Sequence, residues 1–373
     1  MSKTKDIYIQ QMGASCCAGL NRDEIFDSLL KSKSGIKKHE GFLIDGTLSA
    51  IGKIDSFKSF ETLMFEQVDE VLNNSSLANF SDTFLVVGTS VGGMSWSEDQ
   101  FIQSGGSCVG IDLNRQSIYS ISHTLNQKYN FKDSITFSTA CTSSSNAIVF
   151  AKELLEAGAC EHVLVVGADS ISLTTVNGFN ALGVLSSEPS TPFDSDRTGM
   201  NVAEGVGVLL LGNTPSDIRL LGVGCSSDAH NITHPHPEGN GAKLAIQNAL
   251  DDAGIEANVI DYINAHGTGT IANDSAEGRA IVSLFPHAPL VGSTKSITGH
   301  TLGACGAIEL VISAMALKKG LVPQNFQLKN PEILELNLAQ KNHSVEMEFA
   351  LSNAFAFGGN NVSIVLQKVY DEN

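Results

Sequence analysis

The chain has 373 residues, 42% of them hydrophobic, which is enough to bury a large core; 35 glycines against 9 prolines favour tight turns over disorder. Its 23 basic and 40 acidic side chains leave a formal net charge of −17, which argues against a binder of nucleic-acid backbones. No apolar run reaches the roughly 18 residues of a membrane span, the first residues lack the apolar stretch of a secretory signal, and the 7 scattered cysteines contain no CxxC pair, so a cytoplasmic protein with free thiols is expected.

In chain order, residues 6–14 read as a strand, and 82–93 as a buried strand ending in the glycine turn GTSVGG. A strand over 134–141 leads into a helix whose Ile148, Ala151 and Leu155 share one face, with Gly158 as its stop. Nearly continuous apolar runs at 162–170 and 205–212 read as strands covered on both faces. The pattern then restarts with a strand at 218–224, a helix at 242–253 stopped by Gly254, and strands at 260–267 and 289–296. A helix carrying Ile308, Val311, Ile312 and Met315 follows, and strands at 346–354 and 361–369 bracket a Gly-Gly turn. Both halves hold a small-residue run feeding an apolar helix, STACTSSSNAIVF and STKSITGHTLGACGAIELV. The pattern predicts an α/β protein of two similar halves, 1–212 and 213–373, with mostly parallel sheets.

Four places carry chemistry. Cys141 sits between a strand and a helix, where unpaired N–H groups are expected to lower a thiol pKa and favour thiolate. His266 in NAHGTGTIAND and His300 in STKSITGHTLGACGA each end a strand-like run beside glycines, and Lys295 precedes His300 by five residues. A cysteine with two imidazoles is equipped for acyl transfer, one group taking the acyl chain while the others bind a carbonyl oxygen or move protons. Phe357-Gly358-Gly359 in NAFAFGGNNVS is a turn whose backbone N–H groups could face an oxyanion. His230, His234 and His236 look like a metal cluster, but prolines intervene and no cysteine or acidic partner lies at helical spacing, so no metal is expected. GTSVGG does not fit GxGxxG, and no lysine follows a glycine loop, so nucleotide binding has no support.

Taken together and in order, TACTSSSNAI, NAHGTGTIAND, STKSITGHTLGACGAIE and FAFGGNN resemble the motifs of the β-ketoacyl-acyl carrier protein synthases, the condensing enzymes of fatty-acid and polyketide assembly. The segments TPFDSDRTGMNVAEGVGVLLL and SSDAHNITHPHPEG are similar to that family as well. The resemblance implies a thiolase-like fold of five αβαβα layers in two similar halves, usually dimeric, with the active site between the halves. It implies that Cys141 carries the acyl chain, that His266 and His300 bind the malonyl thioester and promote its decarboxylation, and that Lys295 and Glu309 hold the charge network. Backbone N–H groups of Cys141 and Phe357 would form the oxyanion hole, the Phe357 ring would gate the site, and Val91 would line the acyl path. No cofactor is implied in the enzyme, because the phosphopantetheine arm belongs to the acyl carrier protein. His300 in a TGH context matches elongating synthases. The alternative is a non-catalytic partner resembling a chain-length factor, against which the Cys–His–His set speaks. Asn360 replaces the family's usual threonine, and the segment before Cys141 is shorter than usual. These departures point to a type II polyketide or aryl-polyene pathway and leave homodimer or heterodimer open.

Overall fold

The computed structural model describes residues 5–57 and 59–370. Ten strands form one sheet: β1 (Tyr8–Cys16), β2 (Thr83–Gly88), β3 (Asp133–Phe137), β4 (His162–Asp169), β5 (Gly205–Gly212), β6 (Ile218–Ser227), β7 (Tyr262–Asn264), β8 (Leu290–Gly292), β9 (Phe349–Phe355) and β10 (Asn360–Lys368). Their spatial order is β8-β7-β9-β10-β6-β1-β5-β4-β2-β3. Each of the first five strands has its counterpart five strands later, so β3-β2-β4-β5-β1 repeats as β8-β7-β9-β10-β6. The two runs meet where Tyr8 of β1 pairs with Arg219 of β6.

The expectation of mostly parallel sheets needs correcting. β3, β2 and β4 run parallel, as do β8, β7 and β9, but β4–β5, β5–β1, β1–β6, β6–β10 and β10–β9 are antiparallel. Helical crossovers enforce parallel neighbours, whereas β9 and β10 are joined by the tight Gly358-Gly359 turn, and a short connection must reverse the chain. Most predicted strands end sooner than the apolar patterning suggests. The run at 260–267 pairs only over Tyr262–Asn264 and that at 289–296 only over Leu290–Gly292, and the residues beyond leave the sheet to build the site.

Two helices lie at the centre, α1 (Ser143–Glu156) and α2 (Cys305–Lys319). In α2 every residue from Cys305 to Leu317 is buried, so the single apolar face read from Ile308, Val311, Ile312 and Met315 understates it. The reason is position: α2 is in contact with both five-stranded runs and with α1. Outer helices Phe60–Asn73 and Tyr119–Tyr129 cover one run, and Asn240–Ala253 covers the other, with Ile271–Leu284 packed against it. Separate apolar cores fill the spaces between these layers. The result is the αβαβα stack of the thiolase-like fold.

Close approach of the central helices depends on glycines in the strands. A Cβ on Gly88 would lie 2.4 Å from Ser144 Cα and N at the start of α1, and one on Gly207 would lie 2.7 Å from Ile308 N in α2. Backbone atoms cannot yield as a flexible side chain can. Gly88→Ala and Gly207→Ala should each lower stability by about 1–3 kcal/mol or more through overpacking, read as a lower denaturant midpoint with an unchanged slope.

Candidate active site

Cys141 leaves β3 by a sharp turn. Ala140 takes a left-handed backbone (φ 53°), and its carbonyl accepts from Ser143 Oγ at 2.6 Å and Ser90 Oγ at 2.8 Å. This pins the sulfur just ahead of α1. In the other half, Leu302, two residues past His300 and just ahead of α2, takes the same left-handed backbone (φ 53°). His300 is held by its own backbone, its N–H donating to Asn201 O at 2.8 Å and its carbonyl accepting from Ala203 N at 2.9 Å. These bonds place His300 Nε2 3.0 Å from Cys141 Sγ.

His266 follows β7 on a loop braced by carboxylates. Glu277 accepts from the N–H groups of His266 and Gly267, each at 2.8 Å, and Asp274 accepts from those of Thr268 and Gly269. The His266 and His300 rings are 5.3 Å apart at 85°. Lys295 Nζ donates to His266 O at 2.6 Å and to Glu309 Oε1 at 2.5 Å, and lies 3.3 Å from His266 Nδ1. An ammonium can only donate, so Nδ1 of His266 is the acceptor and its proton resides on Nε2. The ligand atoms of His266, Cys305 and Glu309 lie within 4.8 Å of one another, and the Lys295 ammonium, bound to two of these residues, is the cation of that cluster.

Electrostatics follow from burial. His266 and His300 are held well below the ordinary imidazole range by desolvation, with the Lys295 charge acting in the same direction, so both rings are neutral near pH 7. Burial works against the charge of Lys295, but Glu309, with smaller help from Cys305 and Glu277, outweighs it and holds the lysine above its ordinary value. The Cys141 thiol is pushed up to about 11 by burial, with Lys295 pulling it down and Asp169 pushing it further up. The expectation of a ready thiolate is therefore corrected. Cys141 is itself buried at this turn, and desolvation of the sulfur outweighs the nearby backbone dipoles. With the thiol protonated, S–H donates to His300 Nε2.

The glycine turn is also resolved in detail. Backbone N–H groups of Cys141 and Phe357 both face the Cys141 sulfur. Those of Gly358 and Gly359 do not, since they donate to Ile232 O at 2.7 Å and Ala356 O at 3.0 Å. The two glycines shape the turn, with φ of 88° and 79°, and are not oxyanion donors as the sequence suggested. The Phe357 ring lies 5.9 Å from that of Phe179. Asn360 joins this turn to the Cys141 turn: its Oδ1 accepts from Thr142 Oγ1 and Asn146 Nδ2, both at 2.8 Å.

Cys141, His266, His300 and Phe357 line one cavity of about 530 Å³. Thr268, Thr270 and Phe179 share its wall, and none was singled out from sequence. Lys295 and Glu309 stand behind it. Val91 is not in this wall but packs in an apolar cluster with Ile171, Val202 and Leu302; Phe179, Val184 and Met200 belong to both the cluster and the cavity. Asp169, Asp274 and Glu277 were also missed, although Asp274 and Glu277 stand three apart on one helix directly after HGTGT. His230 and His236 stack with ring centroids 5.0 Å apart, but His236 Nδ1 accepts from Glu238 N and His234 Nδ1 is paired with Thr233 Oγ1.

Comparison with known proteins gives the same frame. Residues 43–215 match the model of the β-ketoacyl synthase N-terminal domain, and 218–329 that of its C-terminal domain. A 3-oxoacyl-[acyl-carrier-protein] synthase 2 of Coxiella burnetii is 31% identical over 98% of this chain and 99% of its own length. One from Synechocystis is 34% identical over 85% of this chain and 82% of its own length. Among solved structures, a ketosynthase (ApeO) in complex with its chain length factor (ApeC), from Xenorhabdus doucetiae, superposes with a TM-score of 0.91 and 32% identity, covering 99% of both chains. With both domain models matched in order and relatives similar along nearly its whole length, the chain belongs to the β-ketoacyl synthase family of condensing enzymes.

Proposed function

We infer that the chain extends an acyl group by decarboxylative condensation, with malonyl and acyl units delivered on the phosphopantetheine of an acyl carrier protein. The observation that carries this reading is the 3.0 Å contact between Cys141 Sγ and His300 Nε2, with His266 beside it and its Nε2 proton free for a substrate oxygen. Cys141 attacks the acyl thioester, and its proton passes to His300 Nε2 and then to the departing carrier thiolate. The oxyanion of this step is held by the N–H groups of Cys141 and Phe357. A malonyl thioester then enters, its carbonyl oxygen accepting from His266 Nε2–H and from His300 once that ring carries its proton on Nε2. Loss of carbon dioxide leaves an enolate that the neutral donors stabilise. Its carbon attacks the Cys141 thioester, the C–S bond breaks, and the departing Cys141 thiolate takes a proton from solvent. Lys295, anchored by Glu309, fixes the His266 tautomer throughout.

The chain divides for this work at 212/213, the first half presenting Cys141 and the second His266 and His300. The distal acyl path runs from the cavity through the shared residues Phe179, Val184 and Met200 toward Val91. The chain functions as a dimer, with a second copy or a related chain-length-factor subunit, in the cytoplasm. Among the described residues no helix is long and apolar enough to cross a membrane. A purely non-catalytic partner role is disfavoured by the assembled Cys–His–His geometry.

The direct test is incubation with an acyl-carrier thioester followed by mass measurement of the Cys141 peptide; no adduct, where a control synthase loads, overturns the reading. Cys141→Ala should abolish condensation yet retain malonyl decarboxylation, whereas His300→Ala should impair both, since loss of one oriented donor is worth about 2.7–4 kcal/mol in the transition state. Val91→Phe should shorten the accepted acyl chains while acetyl loading stays nearly intact, read by Cys141 loading across a length series. The pH dependence has a definite sign. With the thiol raised to about 11, iodoacetamide alkylation of Cys141 should still climb steeply between about pH 9.5 and 10.5, where a free surface cysteine, with a pKa of about 8.5, has levelled off.

A further inference from the structure

Asp169, at the C-terminal end of β4, has no part in the chemistry described above, yet it lies behind both reacting groups. Its carboxylate is fully buried and accepts from Thr89 Oγ1 at 2.6 Å, Ser90 N at 2.8 Å, Val91 N at 3.0 Å and Gly303 N at 2.6 Å. The first three donors belong to the turn after β2, and the fourth to the left-handed turn three residues past His300. Ser90 extends the connection, its Oγ donating to the carbonyl of Ala140, the residue before Cys141, at 2.8 Å. One continuous path of hydrogen bonds thus runs from the His300 turn through Asp169 and Ser90 to the Cys141 turn. Space is tight along it. A Cβ on Gly303 would fall 2.6 Å from Ser90 N and 2.7 Å from Asp169 Oδ2.

We propose that Asp169 is a positioning residue whose carboxylate clamps the turn presenting Cys141 to the turn presenting His300 and so sets the sulfur–imidazole contact. The proposal rests on the reading of Cys141 as nucleophile. Every group facing the carboxylate is a donor, so an amide in its place would set its own NH₂ against an N–H or hydroxyl proton. Burial raises Asp169 to about 6, against the pull of its four partners, which leaves it ionised at neutral pH. Its charge is one of the causes that keep the nearby Cys141 thiol protonated.

Geometry and charge can be separated by two variants. Asp169→Asn removes the charge and disturbs the clamp, whereas Ser90→Ala keeps the charge and cuts the link to Ala140. In Asp169→Asn, condensation turnover should fall about tenfold or more from misalignment, while iodoacetamide alkylation of Cys141 at pH 8 rises several-fold, its pH curve displaced to lower pH. Merely structural damage would instead expose the buried Cys16 and Cys160 to alkylation together with Cys141. In Ser90→Ala, turnover should fall while KM for the acyl carrier changes little and the alkylation curve stays in place. Lost turnover in Asp169→Asn without displacement of the curve overturns the proposal, as does unchanged turnover in Ser90→Ala, which decides the matter alone should Asp169→Asn not fold. A wild-type protein that takes no acyl group on Cys141 overturns the parent reading and this one with it; a wild type that loads isolates the clamp.

Discussion

The site depends on a lysine ammonium held out of water. Lys295 and Glu309 are 1% and 2% exposed at their side chains, and burying either charge alone would cost several kcal/mol. The pair is tolerated because all the ammonium's donors find acceptors: Glu309 Oε1, the His266 carbonyl and His266 Nδ1. From this one arrangement follow the tautomer of His266, a charge that reinforces burial in keeping both imidazoles neutral, and the downward pull on the Cys141 thiol. Because Lys295, Glu309 and His266 come from three segments, the ion pair also ties the loop after β7 to the central helix α2.

Other buried carboxylates serve a similar purpose chiefly through backbone partners. Glu277 and Asp274 gather the N–H groups of the loop from His266 to Gly269, which has no sheet or helix to satisfy them. Arg197 supports the same loop from outside, bonding Thr270 O and Ile271 O while facing Asp274 and Glu332. Burial pushes Glu277 up to about 7 and raises Asp274 as well, and the donated N–H groups pull both back down toward the ionised form. Part of the acidic excess of this sequence is thus internal scaffolding for irregular backbone.

What the sequence disclosed were features with local signatures. Strands β4 and β5 are uninterrupted apolar runs, and Gly158 and Gly254 stop helices, as read. Cys141, His266, His300 and Lys295 stand in small-residue turns at strand ends, and these positions do converge on one site. Features that depend on distant contacts were not legible. The state of the Cys141 thiol is decided by enclosure rather than by its place before a helix. The uniform burial of α2 reflects its contact with both five-stranded runs, and the use of the Gly358 and Gly359 N–H groups depends on Ile232 and on the turn's own closure. Asn360 is a departure whose effect no local pattern discloses, and it acquires meaning only from Thr142 and Asn146, more than two hundred residues earlier.

The matched left-handed turns at Ala140 and Leu302 have a mechanical consequence. Each launches one of the two central helices, and those helices pack on each other against both five-stranded runs of the joined sheet. Sulfur and imidazole are therefore fixed to one solid block, and no hinge between the halves can open or close the gap separating them. The rim is built differently, since there Phe357 and the chain around Ile232 are attached by a few backbone hydrogen bonds, so whatever enters the cavity meets a still centre within a lightly fastened edge.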